Sequence, residues 1–271
     1  MPAHDARRSG TAFRLSTLFF SLALIPCAML LQPSARGQDK VIPAANLERS
    51  SLDQPIAYLQ EAKRNYTAVK DYSCIMVSQE RVRGKLEDQS MMQMKMKTAP
   101  FSVWMKWMAP NKSAGQEVAF VAGKNNNKMR VKSNVIGGKI IGFVSIDPTD
   151  PRVLERSRHT ILEAGIGNTI EQNLRHWEHA REVGKSKAVV TEAEFNKRAC
   201  IRIEIAATAP VKDSYCYRSV IFLEKNSKLP IHLENYDWPR QGGPPGGELI
   251  ESFGYMNLQF NTGLKDDFFN K

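Results

Sequence analysis

The sequence has little of the residue types on which most catalytic and metal sites depend. Its 271 residues include only four cysteines and five histidines, and aromatic residues make up 8%. It lacks the nucleophile elbow Gly-x-Ser-x-Gly, the zinc motif His-Glu-x-x-His, a phosphate-binding loop and any CxxC pair. We therefore expect a protein that is not an enzyme and that holds no metal and no cofactor.

Blocks of like charge and internal repeats are also missing. The net charge is +10, but the basic residues are interleaved with acidic ones, and no basic helix face or nucleic-acid-binding motif is visible. This excludes a nucleic acid as partner. The excess of positive charge favours an anionic membrane surface or another envelope protein instead.

The N-terminus has the pattern of a secretory signal peptide. Three arginines precede the uncharged run Leu18–Leu31, which is too short to span a bilayer comfortably. Small residues then mark a cleavage site after Gly37, so we expect residues 1–37 to be removed and the protein to be exported, to the periplasm or envelope. Cys27 sits in a weak lipobox-like setting, and we expect no lipid anchor there.

The mature chain is predicted to be one domain behind a flexible lead-in at residues 38–52. A helix is expected to start at Asp53, where Pro55 suits the first turn, and further helices are expected at 152–159 and 167–182. Elsewhere the hydrophobic period is two, which predicts roughly ten antiparallel strands between Tyr72 and Leu258.

Several motifs in this order resemble the secreted domain-of-unknown-function family 1571. They are Tyr72-Ser73-Cys74, the segment 100–107 (PFSVWMKW), Gly115-Gln116-Glu117-Val118, Ile146-Asp147-Pro148, Arg198-Ala199-Cys200, Lys228-Leu229-Pro230, the segment 234–239 (ENYDWP) and Tyr255-Met256-Asn257-Leu258. That family is distantly similar to the LolA-like and LppX-like envelope lipoprotein carriers. The resemblance covers about residues 55–270.

The resemblance implies an α+β fold and one LolA-like domain over residues 53–271. In such a fold a curved antiparallel sheet forms an incomplete, half-open β-barrel that helices cover. Three cysteines remain after export, and an oxidising compartment permits one disulfide. The family positions favour Cys74 with Cys200, and the alternative is Cys200 with Cys216, on neighbouring strands of one hairpin.

Methionines are the first candidates for binding, since two adjacent predicted strands carry six of them and their flexible side chains suit a variable apolar ligand. We expect six residues to line a hydrophobic cavity in the concave sheet: Met92, Met94, Met96, Phe101, Val103 and Met105. Basic residues such as Lys95, Lys97 and Lys106 are expected at its rim.

Three functions remain open. The first is a periplasmic or envelope binding protein that holds a lipid, a lipoprotein acyl chain or another hydrophobic ligand in the half-barrel. The second is an envelope interaction or sensor module that uses the same fold without a ligand. The third is an uncharacterised hydrolase, for which the sequence offers carboxylates but no way to pair them.

Overall fold

The computed structural model describes residues 40–41, 51–132, 142–212 and 214–270. The predicted signal peptide at 1–37, with Cys27, and most of the lead-in lie outside the described residues. Within the described part, no helix is both long and apolar enough to cross a membrane. The described residues belong to one unit, Gly37–Lys271.

The described part contains thirteen strands and three α-helices. In chain order they are β1 (Lys40–Val41), α1 (Asp53–Tyr66), β2 (Asp71–Val82), β3 (Lys85–Leu86), β4 (Ser90–Lys97), β5 (Ser102–Ala109), β6 (Glu117–Val121), β7 (Met129–Lys132), β8 (Val144–Ile146), α2 (Pro151–Leu154), α3 (Ile166–Val183), β9 (Ser186–Phe195), β10 (Arg198–Ala207), β11 (Arg218–Glu224), β12 (Pro230–Tyr236) and β13 (Leu249–Phe260).

All strands belong to one antiparallel sheet that does not close. Its order is β1-β9-β10-β11-β12-β13-β2-β4-β5-β6-β7-β8, with β3 attached to the end of β2. The last strand β13 therefore pairs with β2 in the middle of the sheet and joins its two halves. The predicted fold class, an α+β half-barrel with covering helices, is confirmed.

One face of the sheet and the helices share a single apolar core. Every second side chain of β2 faces the core, as the two-residue period of a strand requires, at positions 72, 74, 76 and 78. Helix α1 contributes Ile56, Leu59 and Ala62 to the same core. Along α3 the buried residues recur at three- and four-residue spacing, including Ile170, Leu174 and Trp177. The amphipathic patterns thus place both long helices against the concave face.

Residues 147–165, which we call the cap, differ from the sequence prediction. The helix expected at 152–159 ends at Leu154, and a 3₁₀ turn follows at Ile161–Glu163. The backbone amide of Arg158 donates to the Glu80 carboxylate at 2.9 Å. This tertiary contact turns the chain toward the sheet where local sequence alone favoured a helix.

Gly165 joins the cap to α3 in a conformation that only glycine adopts readily. Its φ is +97° and its ψ 167°, and a Cβ built there would lie 2.3 Å from Met96 Sδ and 2.6 Å from the Tyr72 hydroxyl. Both neighbours are buried. The close approach of α3 to the sheet therefore depends on the missing side chain.

Replacing Gly165 by Ala should lower the free energy of unfolding by about 3 kcal/mol, from backbone strain and overpacking together. Gly184→Ala at the other end of α3 is the control: φ is +70°, but a Cβ there would meet open space, so only about 1 kcal/mol should be lost. Urea denaturation measures both. Equal losses for the two variants would contradict the packing at Gly165.

Candidate functional site

The methionines predicted to line a cavity lie on one face of β4 and β5. In the β4–β5 register Met94 lies opposite Met105 and Met96 opposite Val103. With Met92, these side chains are buried in the main core, none more than 7% exposed. Phe101 is half-buried at the margin and packs against the same core. We call these six predicted residues the methionine face.

The methionine face is covered by other side chains in the structure. The buried Tyr72 hydroxyl donates to Met96 Sδ at 2.8 Å and accepts from the Ile166 amide at 3.0 Å, which ties the face to the start of α3. Two pockets in the described part of the chain are both lined by other residues. Whether a ligand displaces this packing stays a prediction.

The lysines expected at the rim of the cavity are on the other side of the sheet. Lys95 and Lys97 alternate with the inward methionines of β4, so the two-residue period turns them to the outer face. There Lys97 forms an ion pair with Asp266, and Lys95 Nζ lies 4.0 Å from the centre of the Phe268 ring. Lys106 Nζ lies 3.3 Å from Glu117 Oε1. They do not flank the methionine face.

The disulfide expected between Cys74 and Cys200 is not formed, and all three described cysteines are free thiols. Strands β11, β12 and β13 lie between the strands of these two cysteines. Cys74 and Cys200 are therefore about 19 Å apart along the sheet, whereas a disulfide needs Cα atoms within about 7 Å.

The alternative pairing, Cys200 with Cys216, is not formed either. Cys200 lies opposite Glu224, at the far end of β11 from Cys216, which places them about 26 Å apart along the strand. Burial raises the pKa of the Cys74 and Cys216 thiols to about 12, so both stay protonated at neutral pH.

A row of polar side chains crosses the concave face at the end of the interior remote from Met96. Four adjacent strands place Glu80, Glu251, Asn235 and Ser219 opposite one another in register. We call these four residues the polar row. Two residues further along each of these strands, toward Met96, the same face carries Ser78, Phe253, Leu233 and Ile221. The interior is therefore apolar over most of its length and polar at one end.

Glu251 is the centre of this row and is only 2% exposed. Its Oε2 accepts from the Tyr215 hydroxyl at 2.7 Å and lies 2.8 Å from His159 Nε2, while Oε1 accepts from Asn235 Nδ2 at 2.7 Å. Arg158 Nε lies 3.3 Å from Oε2. The carboxylate is thus surrounded by donors, as a buried anion must be.

The cap supplies the remaining contacts. Ser157 Oγ donates to Glu80 Oε2 at 3.0 Å, and His159 Nδ1 lies 3.4 Å from Glu163 Oε1. His159 therefore contacts Glu251 of the sheet through Nε2 and Glu163 of the cap itself through Nδ1. The row and the cap form one hydrogen-bonded unit.

The pKa values in this unit follow from burial and from the close charges. Burial disfavours the charged form of His159, but the hydrogen bond to Glu251 and the attraction of Glu251, Glu80 and Glu163 outweigh it and raise the pKa to about 9. Burial acts against ionised Glu251 too, yet His159, Tyr215 and Asn235 hold its pKa below the usual range. Burial raises the pKa of Glu80.

Glu80, His159 and Glu251 could each offer one ligand atom to a metal ion, since these atoms lie within 4.8 Å of one another. The Arg158 guanidinium beside Glu251 opposes a cation at that position. Protonated His159 already fills the charge-compensating role between the two carboxylates. The geometry is that of a clamp that fastens the cap to the sheet.

A pocket of about 90 Å³ lies beside the polar row, between α3 and strands β10 to β12. Asn235 and Ser219 of the row line it, with Asn173 and Trp177 from α3. His176 and Tyr215 also line it, with ring centres 5.3 Å apart in a stacked arrangement. His179, one turn further along α3, lines the pocket as well.

A family model matches residues 69–271 of the chain, under the description "Protein of unknown function (DUF1571)". The chain belongs to the DUF1571 family. No curated protein matches it.

Among solved structures, the chain is similar in fold to a LolA superfamily protein from Nitrosomonas europaea, at 10% identity and a TM-score of 0.37 over 79% of this chain and 96% of that one. The lipoprotein LppX from Mycobacterium tuberculosis is 8% identical, with a TM-score of 0.44 over 79% of this chain and 98% of that one. At such identities the likeness concerns the fold alone.

Sequence reasoning missed the polar row and its clamp. One signal was present: Glu251 has the same strand parity as Phe253 and the buried Tyr255, so the period of two already turned an acid inward. His159 carried no comparable signal, because it lies in an aperiodic segment and meets Glu251 only through the tertiary fold.

The clamp predicts a pH dependence of stability. Because the pKa of His159 is about 9 in the folded protein and near 6.5 when unfolded, its contribution is complete below pH 6.5 and is lost as the pH rises through 9. The urea midpoint should fall between pH 6.5 and 9.5 and should change less in His159→Gln. His179→Gln, on the exposed face of α3, is the control. If the urea midpoint of His159→Gln fell with pH as steeply as that of the unmodified protein, the clamp would be contradicted.

Proposed function

We propose that the protein binds a hydrophobic ligand, such as a lipid or the acyl chain of a lipoprotein, between its half-barrel and helices α1 and α3, in the cell envelope. The observation that carries the proposal is the methionine face. It is a contiguous inward surface on two strands, built largely from the side chain that adapts best to a ligand of variable shape.

In the structure this surface is covered by other side chains, so binding requires the interior to open. A chain of about 15 CH₂ groups gains about 12 kcal/mol on burial, which is large enough to offset substantial repacking of helices over the sheet. Methionine lowers the cost of that repacking, because its thioether chain changes rotamer without losing apolar contact. A closed interior is therefore compatible with a carrier.

A second candidate is an envelope interaction or sensor module that holds no ligand. It is favoured by the burial of the methionine face and by the small volume of the pocket beside the polar row, about 90 Å³. That volume holds a small molecule and no acyl chain. On this hypothesis the packed interior is a stable core, and the function lies on the outer surface.

Lipid extraction of the protein purified from its native envelope, followed by mass spectrometry, tests the proposal. We expect a stoichiometric acyl-chain species and saturable binding of cis-parinaric acid to the delipidated protein. The absence of both bound lipid and probe binding would contradict the proposal and leave the second candidate.

A pair of variants tests the location. Met94→Phe, in the centre of the methionine face, should weaken probe binding about tenfold by filling the site, at a stability cost of about 1–3 kcal/mol. Met108→Phe is the matched control, because Met108 is 45% exposed. Circular dichroism checks that both variants fold. Equal binding by the two variants would contradict this location.

A further inference from the structure

The positive charge of the chain is concentrated in one part of the sheet. Residues 90–132, which form β4 to β7 and the turns between them, contain eight basic residues and a single acid, so they carry +7 of the net charge of +10. Over the rest of the chain bases and acids are interleaved. Neutral residues separate the eight bases along the sequence, so the register of the strands decides whether they form a surface.

The register brings four of these bases together on the outer face of the sheet. One row across β4 to β7 begins with Lys95 and ends with Arg130, and the next row contains Lys106 and Lys132. All four side chains point away from the methionine face, because they alternate along their strands with residues of the core. We call these four residues, with Trp104 among them, the basic face.

Glu117 is the one acid that these strands bring to the basic face, and it does not cancel the charge. Its Oε1 lies 3.3 Å from Lys106 Nζ and 3.8 Å from Lys132 Nζ. The Glu117 side chain is 15% exposed, whereas those of the two lysines are 44% and 39% exposed, so the ammonium groups reach solvent above it. The C-terminal tail brings two further acids, of which Asp266 pairs with Lys97, a fifth base beside the face.

Aromatic rings stand between the bases. Lys95 Nζ lies 4.0 Å from the centre of the Phe268 ring, which packs edge-on against Trp104 with ring centres 5.1 Å apart. Toward β8, the Arg130 guanidinium lies 4.6 Å from the centre of the Phe143 ring. Basic side chains interleaved with aromatic rings are typical of protein surfaces that rest in the headgroup region of a bilayer.

We propose that the basic face is a docking surface for an anionic lipid bilayer. Its charge complements that of the lipid phosphates, and each Lys or Arg held near such a surface adds to the attraction. The four bases extend over β4 to β7, about 14 Å across, and none of them lines either pocket described above. An extended anionic surface therefore fits this face better than a small anion does.

The basic face and the methionine face are two sides of the same strands. Strands β4 and β5 carry Met94 and Met105 inward and Lys95 and Lys106 outward. Docking on the outside does not require the interior to open, so the inference does not rest on the proposed binding of a lipid, and either can fail alone. Met94→Phe, which fills the interior, should bind vesicles as well as the unmodified protein does.

Vesicle co-sedimentation tests the docking. In about 0.1 M NaCl, the protein purified from its native envelope should bind vesicles of phosphatidylcholine with about 30% phosphatidylglycerol, and should not bind vesicles of phosphatidylcholine alone. The Debye length falls from about 10 Å at 0.1 M salt to about 3 Å at 1 M, so about 1 M NaCl should release the bound protein.

A pair of double variants locates the contact. Lys106→Gln with Lys132→Gln should weaken binding to the anionic vesicles at least about tenfold. The matched control is Lys185→Gln with Lys187→Gln, which changes the net charge equally at two exposed lysines beside and on β9, in the other half of the sheet. The control should bind as the unmodified protein does. Circular dichroism checks that both variants fold.

A second readout needs no variant. Vesicle-bound protein is treated with a water-soluble acetylating reagent, and its peptides are analysed by mass spectrometry. Acetylation of Lys106 and Lys132 should fall when anionic vesicles are bound, whereas acetylation of Lys185 and Lys187 should stay the same.

Equal binding to neutral and anionic vesicles would overturn the proposal, because charge would then not drive the contact. Equal weakening in the two double variants, or equal protection of the four lysines, would show that the basic face is not the contact. Binding of poly-glutamate without binding of anionic vesicles would also overturn the proposal and would assign the face to an acidic polypeptide.

Discussion

The Glu251 carboxylate has to be surrounded by donors, because it lies inside the concave face where water does not reach it. Its partners come from β12, from the segment before β11 and from the cap. Hydrogen bonds to charged groups are worth about 1.5–3 kcal/mol each, so this one anion fastens three separate parts of the chain. Because the cap runs through Gly165 into α3, the position of that helix over the sheet also depends on the Glu251 carboxylate.

The clamp and the methionine face divide the interior by chemistry. Toward Tyr72 and Met96 the surface is apolar and adaptable, and at Glu251 it is polar and tightly bonded. A dense hydrogen-bond network resists deformation, whereas methionine packing tolerates it. A ligand-driven opening would therefore start at the apolar end, while the cap stays attached at the other.

Patterns of short period carried the sequence prediction. Alternation identified β2, β4 and β5 as strands, and in β4 and β5 it also identified the residues that face the core. Pro55 marked the start of α1. The same alternation placed Lys95 outside the barrel, which the rim hypothesis overlooked. The predictions that failed depended on strand order and tertiary contact. Three strands separate Cys74 from Cys200, so the predicted disulfide does not form. Residues 155–159 are not helical, and Arg158 and His159 among them contact Glu80 and Glu251 instead.

The most direct test of the account follows the methionines themselves. In protein labelled with ¹³C at the methionine ε-methyl groups, we predict that palmitate shifts the signals of Met92, Met94, Met96 and Met105 and leaves that of the exposed Met108 unchanged. The shifts should occur without loss of the Tyr215–Glu251 hydrogen bond at the polar end. Unchanged signals from the four inward methionines at saturating palmitate would contradict the central claim that the closed interior opens to an apolar ligand.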